Sequence, residues 1–161
     1  GTLHRPGNVD DDEASRRIVS ALRDVADRIP VVLPLHPRGR QHLLDLGLGE
    51  HPGIHIVEPL GYLDFIALVR NSSGVVTDSG GVQEETTVLQ IPCFTLRPNT
   101  ERPVTITHGT NRLVTPDSLV CELEAVLAGG FESRGVPELW DGAAGPRIAA
   151  VLADELGRGK R

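Results

Sequence analysis

Four short apolar runs rich in β-branched residues, at positions 31–35, 54–57, 74–77 and 93–96, alternate with segments of helical spacing. Runs of this length without polar alternation suit strands buried on both faces, and parallel strands need helical crossovers to reach one another. The pattern therefore predicts an α/β fold, a Rossmann-like doubly wound parallel sheet covered by helices on both faces. A chain of 161 residues with 39% hydrophobic content is long enough to bury its own core as one domain.

The first helix is expected to be capped by Asp10, with Asp11, Asp12 and Glu13 in its first turn, where carboxylates suit the positive end of the helix dipole. Ile18, Leu22, Val25 and Ile29 then recur at helical spacing until Pro30 closes the segment. Residues 40–46, 62–69, 82–89, 117–128 and 146–156 are read as further helices, 111–114 as a fifth strand and 129–145 as a loop around Trp140. Residues 1–3 look like the end of a strand whose beginning is missing, so the chain is expected to be a fragment of a longer enzyme.

A net charge of −6 gives no basic footprint for nucleic acid or an anionic membrane surface, and neither partner is expected. No run of roughly 18 apolar residues and no signal-peptide pattern occurs, which predicts a soluble, cytoplasmic protein. Cys93 and Cys121 both sit in apolar stretches and read as core thiols in a reducing compartment. The six histidines are scattered without a carboxylate cluster, so no metal site is expected.

Ligands of open α/β sheets bind beyond the carboxyl ends of the strands. The segment Val76-Thr77-Asp78-Ser79-Gly80-Gly81-Val82-Gln83-Glu84-Glu85 places a serine and two glycines between a strand and a helix start. Free N–H groups there attract anions, and glycines let a phosphate approach the backbone. The competing reading is structural: Asp78 or Ser79 caps the helix and the glycines merely make the turn. Glu85, a turn further in, is suited to accept hydrogen bonds from a ribose diol, whereas Glu84 reads as a solvated carboxylate near the helix dipole.

Arg97 and Arg102 follow the fourth strand, again at the ligand edge; Arg102 is read either as a phosphate fork or as the partner of Glu85 or Asp78. His4 and His36 each follow a strand and fall at the same edge, where they are placed to donate to phosphate or to move a proton. Phe65 and Tyr62 read as core-packing side chains, with main chain near Phe65 free to read a base.

Taken together, Thr2-Leu3-His4-Arg5-Pro6, Leu35-His36-Pro37-Arg38, Glu58-Pro59-Leu60-Gly61-Tyr62-Leu63-Asp64-Phe65, Thr77 to Glu85 and Thr100-Glu101-Arg102-Pro103 resemble the non-hydrolysing UDP-N-acetylglucosamine 2-epimerases, from the first residues to about Val114. The resemblance implies the second, carboxy-terminal domain of a glycosyltransferase B-type two-domain fold. It implies that Ser79, Gly80 and Gly81 hold the diphosphate, Glu85 the ribose hydroxyls and Phe65 the uracil edge through its backbone. Arg102, His4 and His36 would line the phosphate and sugar side, with His4 the catalytic candidate. It further implies a UDP-sugar substrate, no cofactor, an amino-terminal partner domain carrying the proton-transfer carboxylates, and a possible homodimer of the full-length enzyme. An isolated domain of this kind is expected to bind UDP weakly and not to turn over. Gly7 stands where the family commonly has Glu, in a region that bacterial members use for an activating second substrate molecule, and Gly39 and Gly61 stand where bulkier residues are usual. The rival readings are a glycosyltransferase of the same shape, a hydrolysing epimerase, and a catalytically silent UDP-binding module.

Overall fold

The computed structural model describes residues 1–35 and 37–158. Its helices are α1 (Pro6–Val9), α2 (Asp12–Ala26), α3 (Pro37–Asp45), α4 (Tyr62–Arg70), α5 (Gly80–Leu89), α6 (Pro103–Thr107), α7 (Pro116–Leu127) and α8 (Ala144–Arg158), with a 3-10 turn at Leu48–Glu50. The strands are β1 (Val31–Pro34), β2 (Ile54–Val57), β3 (Val75–Thr77), β4 (Cys93–Leu96) and β5 (Asn111–Val114). The α/β alternation expected from the sequence is present, and every paired strand runs parallel. The short α1 falls between segments read from the sequence and was not anticipated by them. The cap of α2 is Asp11, whose side chain accepts from the Ala14 N–H, one residue later than expected.

Regular pairing gives two blocks, β2-β1 and β3-β4-β5. Residues 1–3 join them. The Gly1 nitrogen donates to Val32 O at 2.7 Å, and Thr2 N donates to Val76 O at 2.8 Å. Thr2 also bridges Thr77 in parallel register. Counting residues 1–3 as the first strand, the spatial order is 3-2-1-4-5-6, the doubly wound order in which ligands bind where the order reverses. That crevice lies between the end of residues 1–3 and the end of β3.

The main core runs beneath this crevice. Leu3, Leu22, Leu33, Leu35, Leu43, Leu48, Phe94 and Leu119 are each almost completely buried in one cluster shared by α2, α3, α7 and the sheet. Burying each such side chain contributes about 1.5–3 kcal/mol. A smaller cluster of Val69, Val75 and Val82, with Phe65, Leu89 and Ile91 against it, seats α4 and α5 on β3. Cys93 belongs to the buried set, and burial pushes its thiol up to about 11. Cys121 is exposed on α7, against the expectation of a core thiol: its neighbours Leu119 and Leu123 take the inward face of that helix. Tyr62 is likewise exposed, because α4 turns Phe65 and Val69 inward and leaves its first residue at the rim.

Candidate functional site

The start of α5 lies beside the crevice. Ser79 occupies its N-cap position in extended conformation but makes no side-chain capping bond, and its own N–H donates to Thr77 Oγ1 at 3.0 Å. The helix therefore leaves its first-turn donors without a side-chain cap, at its partially positive end. Gly80 and Gly81 are inside this first turn, not in a separate loop. Neither has a positive φ. A Cβ added at Gly80 meets nothing within 4 Å, and one at Gly81 meets only Ser79 Oγ at 3.9 Å. Nothing in the chain's own backbone or packing calls for glycine at either position, although each glycine in a helix costs up to about 1 kcal/mol relative to alanine. What the pair does provide is a bare approach to helix N–H groups, the property an incoming anion uses.

Asp78 does not cap α5. Its side chain is fully buried and turned toward residues 4–8. The carboxylate accepts from His4 N at 3.2 Å on both oxygens, from Arg5 N at 3.0 Å and from Asn8 Nδ2 at 3.1 Å. The His4 ring also approaches the carboxylate, with Nδ1 2.8 Å from Oδ1 in an ion-pair contact. Asn8 Nδ2 also donates to Leu96 O at 3.0 Å, and Arg5 Nε to the Asp78 carbonyl at 3.2 Å. A buried carboxylate without such donors would cost several kcal/mol. Here it fastens the end of the first strand-like segment to the end of β3.

Arg102 sits at the N-cap of α6, and its Nε lies 2.6 Å from Glu84 Oε1. Of the partners weighed from the sequence, Glu85 and Asp78, neither takes this position; Glu84, read as a solvated carboxylate, does, because it and Arg102 face each other across the gap between α5 and α6. A polar network supports the pair from below. Gln83 Oε1 accepts from Thr100 Oγ1 at 2.6 Å and from Asn111 Nδ2 at 3.1 Å, and Thr100 Oγ1 accepts from Arg102 N at 3.0 Å. Nearby, Arg97 forms a two-pronged pair with Glu101 at 2.8 and 2.7 Å, and Arg5 approaches the same carboxylate at 3.6 Å. The hydrogen bonds from Arg97 bring the Glu101 carboxyl down to about 2.

Glu85 lies on the α4 side of α5. Partial burial raises its pKa above the usual carboxylate range, a hydrogen bond from Tyr62 works against that, and adjacent Glu84 adds to the rise. Phe65 packs its ring into the smaller core cluster, and its N–H donates to Gly61 O at 2.9 Å. The main-chain donors left at this helix start are therefore those of Tyr62, Leu63 and Asp64. His36 lies outside the described residues.

His4 is tied to Asp78 just ahead of the turn where Ser79, Gly80 and Gly81 start α5, and Arg102 meets that helix through Glu84; Glu85, on the same helix, faces Tyr62 instead. Three supports were not singled out from the sequence: Asp78 as the anchor of His4, Asn8 as a second donor to it, and the Gln83–Thr100 link behind Arg102. The one available signal was Asp78 itself, an acidic residue ending an apolar strand. Gly39 also gains an account, since it adopts φ +74° and a Cβ there would stand 2.7 Å from Val9 Cβ. Gly61 has no such explanation.

A sequence profile described as UDP-N-acetylglucosamine 2-epimerase matches residues 1–153. The chain is 36% identical over 159 residues to the UDP-N-acetylglucosamine 2-epimerase of Methanocaldococcus jannaschii, covering 94% of this chain and 43% of that protein. It is 40% identical over 156 residues to the UDP-2,3-diacetamido-2,3-dideoxy-D-glucuronate 2-epimerase of Pseudomonas aeruginosa, again covering 94% and 43%. Among solved structures, the M. jannaschii enzyme in complex with UDP-GlcNAc and UDP superposes with a TM-score of 0.79 at 37% identity, over 94% of this chain and 44% of that one. The Neisseria meningitidis enzyme bound to UDP-GlcNAc gives 0.82 at 29% identity, over 95% and 43%. The chain therefore spans less than half the length of the relatives it matches.

Proposed function

Because this chain belongs to the UDP-N-acetylglucosamine 2-epimerase family, we propose that it forms the nucleotide-gripping half of such an enzyme. The observation that carries the reading is the uncapped start of α5, with two glycines that the chain itself does not need, placed at the switch point of the sheet. The diphosphate of a UDP-sugar sits on the N–H groups of Gly80 and Gly81 with the Ser79 hydroxyl as a further donor. Glu85 accepts from the ribose diol, Arg102 flanks the phosphates from its perch on Glu84, and His36 lines the same edge. The base is read by main chain at the start of α4, near Phe65.

The reaction is inversion at C2 of the sugar. A base removes the C2 proton, the C1–oxygen bond breaks and releases UDP, and UDP adds back after a proton returns to the other face. An anchored diphosphate stabilises the charge that develops on the leaving oxygen. His4 serves as the proton-transfer group of this half, while the remaining acid–base groups belong to an amino-terminal domain across the cleft; the assembled enzyme is cytoplasmic and dimeric. Two sugars are in view, since the P. aeruginosa relative acts on a differently substituted UDP-sugar, and the common element is UDP with an acetamido group at C2.

The test is full-length protein incubated in deuterated buffer with UDP-N-acetylglucosamine and, separately, the diacetamido-glucuronate analogue, following the C2 proton by NMR. Exchange with one of them is expected; transfer to an acceptor without exchange would mean a glycosyltransferase. UDP titrated against Ser79→Ala, Glu85→Ala and Arg102→Ala is expected to bind each at least about tenfold more weakly, as removal of charge-assisted hydrogen bonds implies. Unchanged affinity in all three would defeat the pocket.

A further inference from the structure

We propose that Asp78 is the positioning residue for His4, fixing which imidazole nitrogen meets the ligand. The proposal rests on the reading of His4 as the group facing the sugar nucleotide, and adds to it a second residue and a defined protonation form.

An ionised carboxylate can only accept hydrogen bonds. His4 Nδ1 lies 2.8 Å from Asp78 Oδ1 in an ion-pair contact, a distance at which a bare Nδ1 would set its lone pair against a carboxylate oxygen, so the proton belongs on Nδ1. Three other donors keep the carboxylate from swinging away: the main-chain N–H groups of His4 and Arg5 and the Asn8 side-chain amide hold its oxygens, and the group is fully buried. The same contacts that aim the ring also fix the stem it hangs from, so both the position and the rotation of the imidazole are set by one side chain. The ring itself remains about half open, 47% exposed, at the crevice. With Nδ1 occupied, Nε2 alone exchanges protons with a bound ligand. When the ring is neutral Nε2 bears the lone pair and takes a proton; when the ring is charged Nε2 gives that proton up. Neutral histidine in water prefers the opposite tautomer, so Asp78 holds His4 in the form that a free side chain populates less. A carboxylate–histidine pair of this geometry is how a protein commits an imidazole to one tautomer.

The experiment reads the tautomer directly. In the chain labelled with 15N-histidine, two-bond proton–nitrogen correlation spectra above the ordinary imidazole range identify which His4 nitrogen is protonated, with His4→Gln assigning the signal. Wild type is expected to show Nδ1–H. Asp78→Asn offers an amide N–H to Nδ1 and is expected to turn His4 over to Nε2–H. In full-length enzyme the same variant is expected to lose at least about 100-fold in kcat, with KM and the Kd for UDP changed less than about threefold. Nε2–H in wild type, or a kcat unaffected by the tautomer change, overturns the proposal. Should Asp78→Asn not fold, the wild-type tautomer decides. Failure of the nucleotide-site reading is separable, because it would show as absent UDP binding in wild type and leave the tautomer as it is.

Discussion

At the scale of single residues, Gly80 and Gly81 separate local stability from function. Alanine fits both positions without a clash and is the better helix former. Gly80→Ala is therefore expected to stabilise the fold by up to about 1 kcal/mol, a rise of roughly 2–4 °C in Tm for a chain of this size. The added methyl would stand in the space proposed for the diphosphate, so UDP affinity in a calorimetric titration is expected to fall at least about tenfold. A variant that gains Tm and keeps its affinity would put the phosphates elsewhere. Glu85 makes a pH prediction. Its pKa is raised chiefly by burial, and in its proposed role only the ionised form could accept from both ribose hydroxyls. Affinity for UDP-N-acetylglucosamine is expected to decline as pH falls through a window above the usual carboxylate range, and Glu85→Gln is expected to bind weakly with that pH response gone. Glu101 runs the other way. Its folded pKa of about 2 lies below the ordinary 4.5, mainly through Arg97. It therefore contributes stability that is complete above about 4.5 and lost as pH falls toward 2. Glu101→Gln is expected to lower Tm near neutral pH, with the difference from wild type vanishing at the acid end of a thermal melt series.

Whole elements were more legible than their connections. The strands and the longer helices follow from periodicity, since β-branched runs and 3.6-residue spacing leave few choices once each must bury a face. The motif of α5 is legible too, but its geometry is not: a glycine pair after a strand reads as a turn, and only the folded chain shows that both glycines are already helical and unobstructed. Asp78 reads as a candidate cap because capping depends on local sequence, whereas its partners are 70 or more residues away. Tyr62 was misplaced for a related reason, as spacing identifies a face but not the rim of a helix. One cap did form as its chemistry requires. Thr115 and Ser118 exchange hydrogen bonds in a capping box at the start of α7, which packs against α2. Thr115→Ala is expected to cost about 1 kcal/mol in chemical denaturation and leave UDP affinity unchanged.

Across the whole molecule, the two strand blocks are coupled through residues 1–3 at the middle of the sheet. Thr2→Pro removes the N–H that reaches Val76 O and is expected to lower stability and UDP affinity together, because the displaced segment also carries His4. Thr115→Ala and Thr2→Pro thus form a pair in which both lose stability and only the second is expected to lose binding. The central placement of residues 1–3 has a kinetic side as well. Thr2 finds its hydroxyl partner 75 residues along the chain. At synthesis rates of 5–20 residues per second, that partner leaves the ribosome about 4–15 s after Thr2 does. Asp78 and Ser79 emerge with it. During that interval the β1–β2 block can pair and cover one side of the future sheet while its other edge stays open. The arrival of β3 then closes the sheet and builds the crevice in the same event, so the two sides of the crevice form together or not at all.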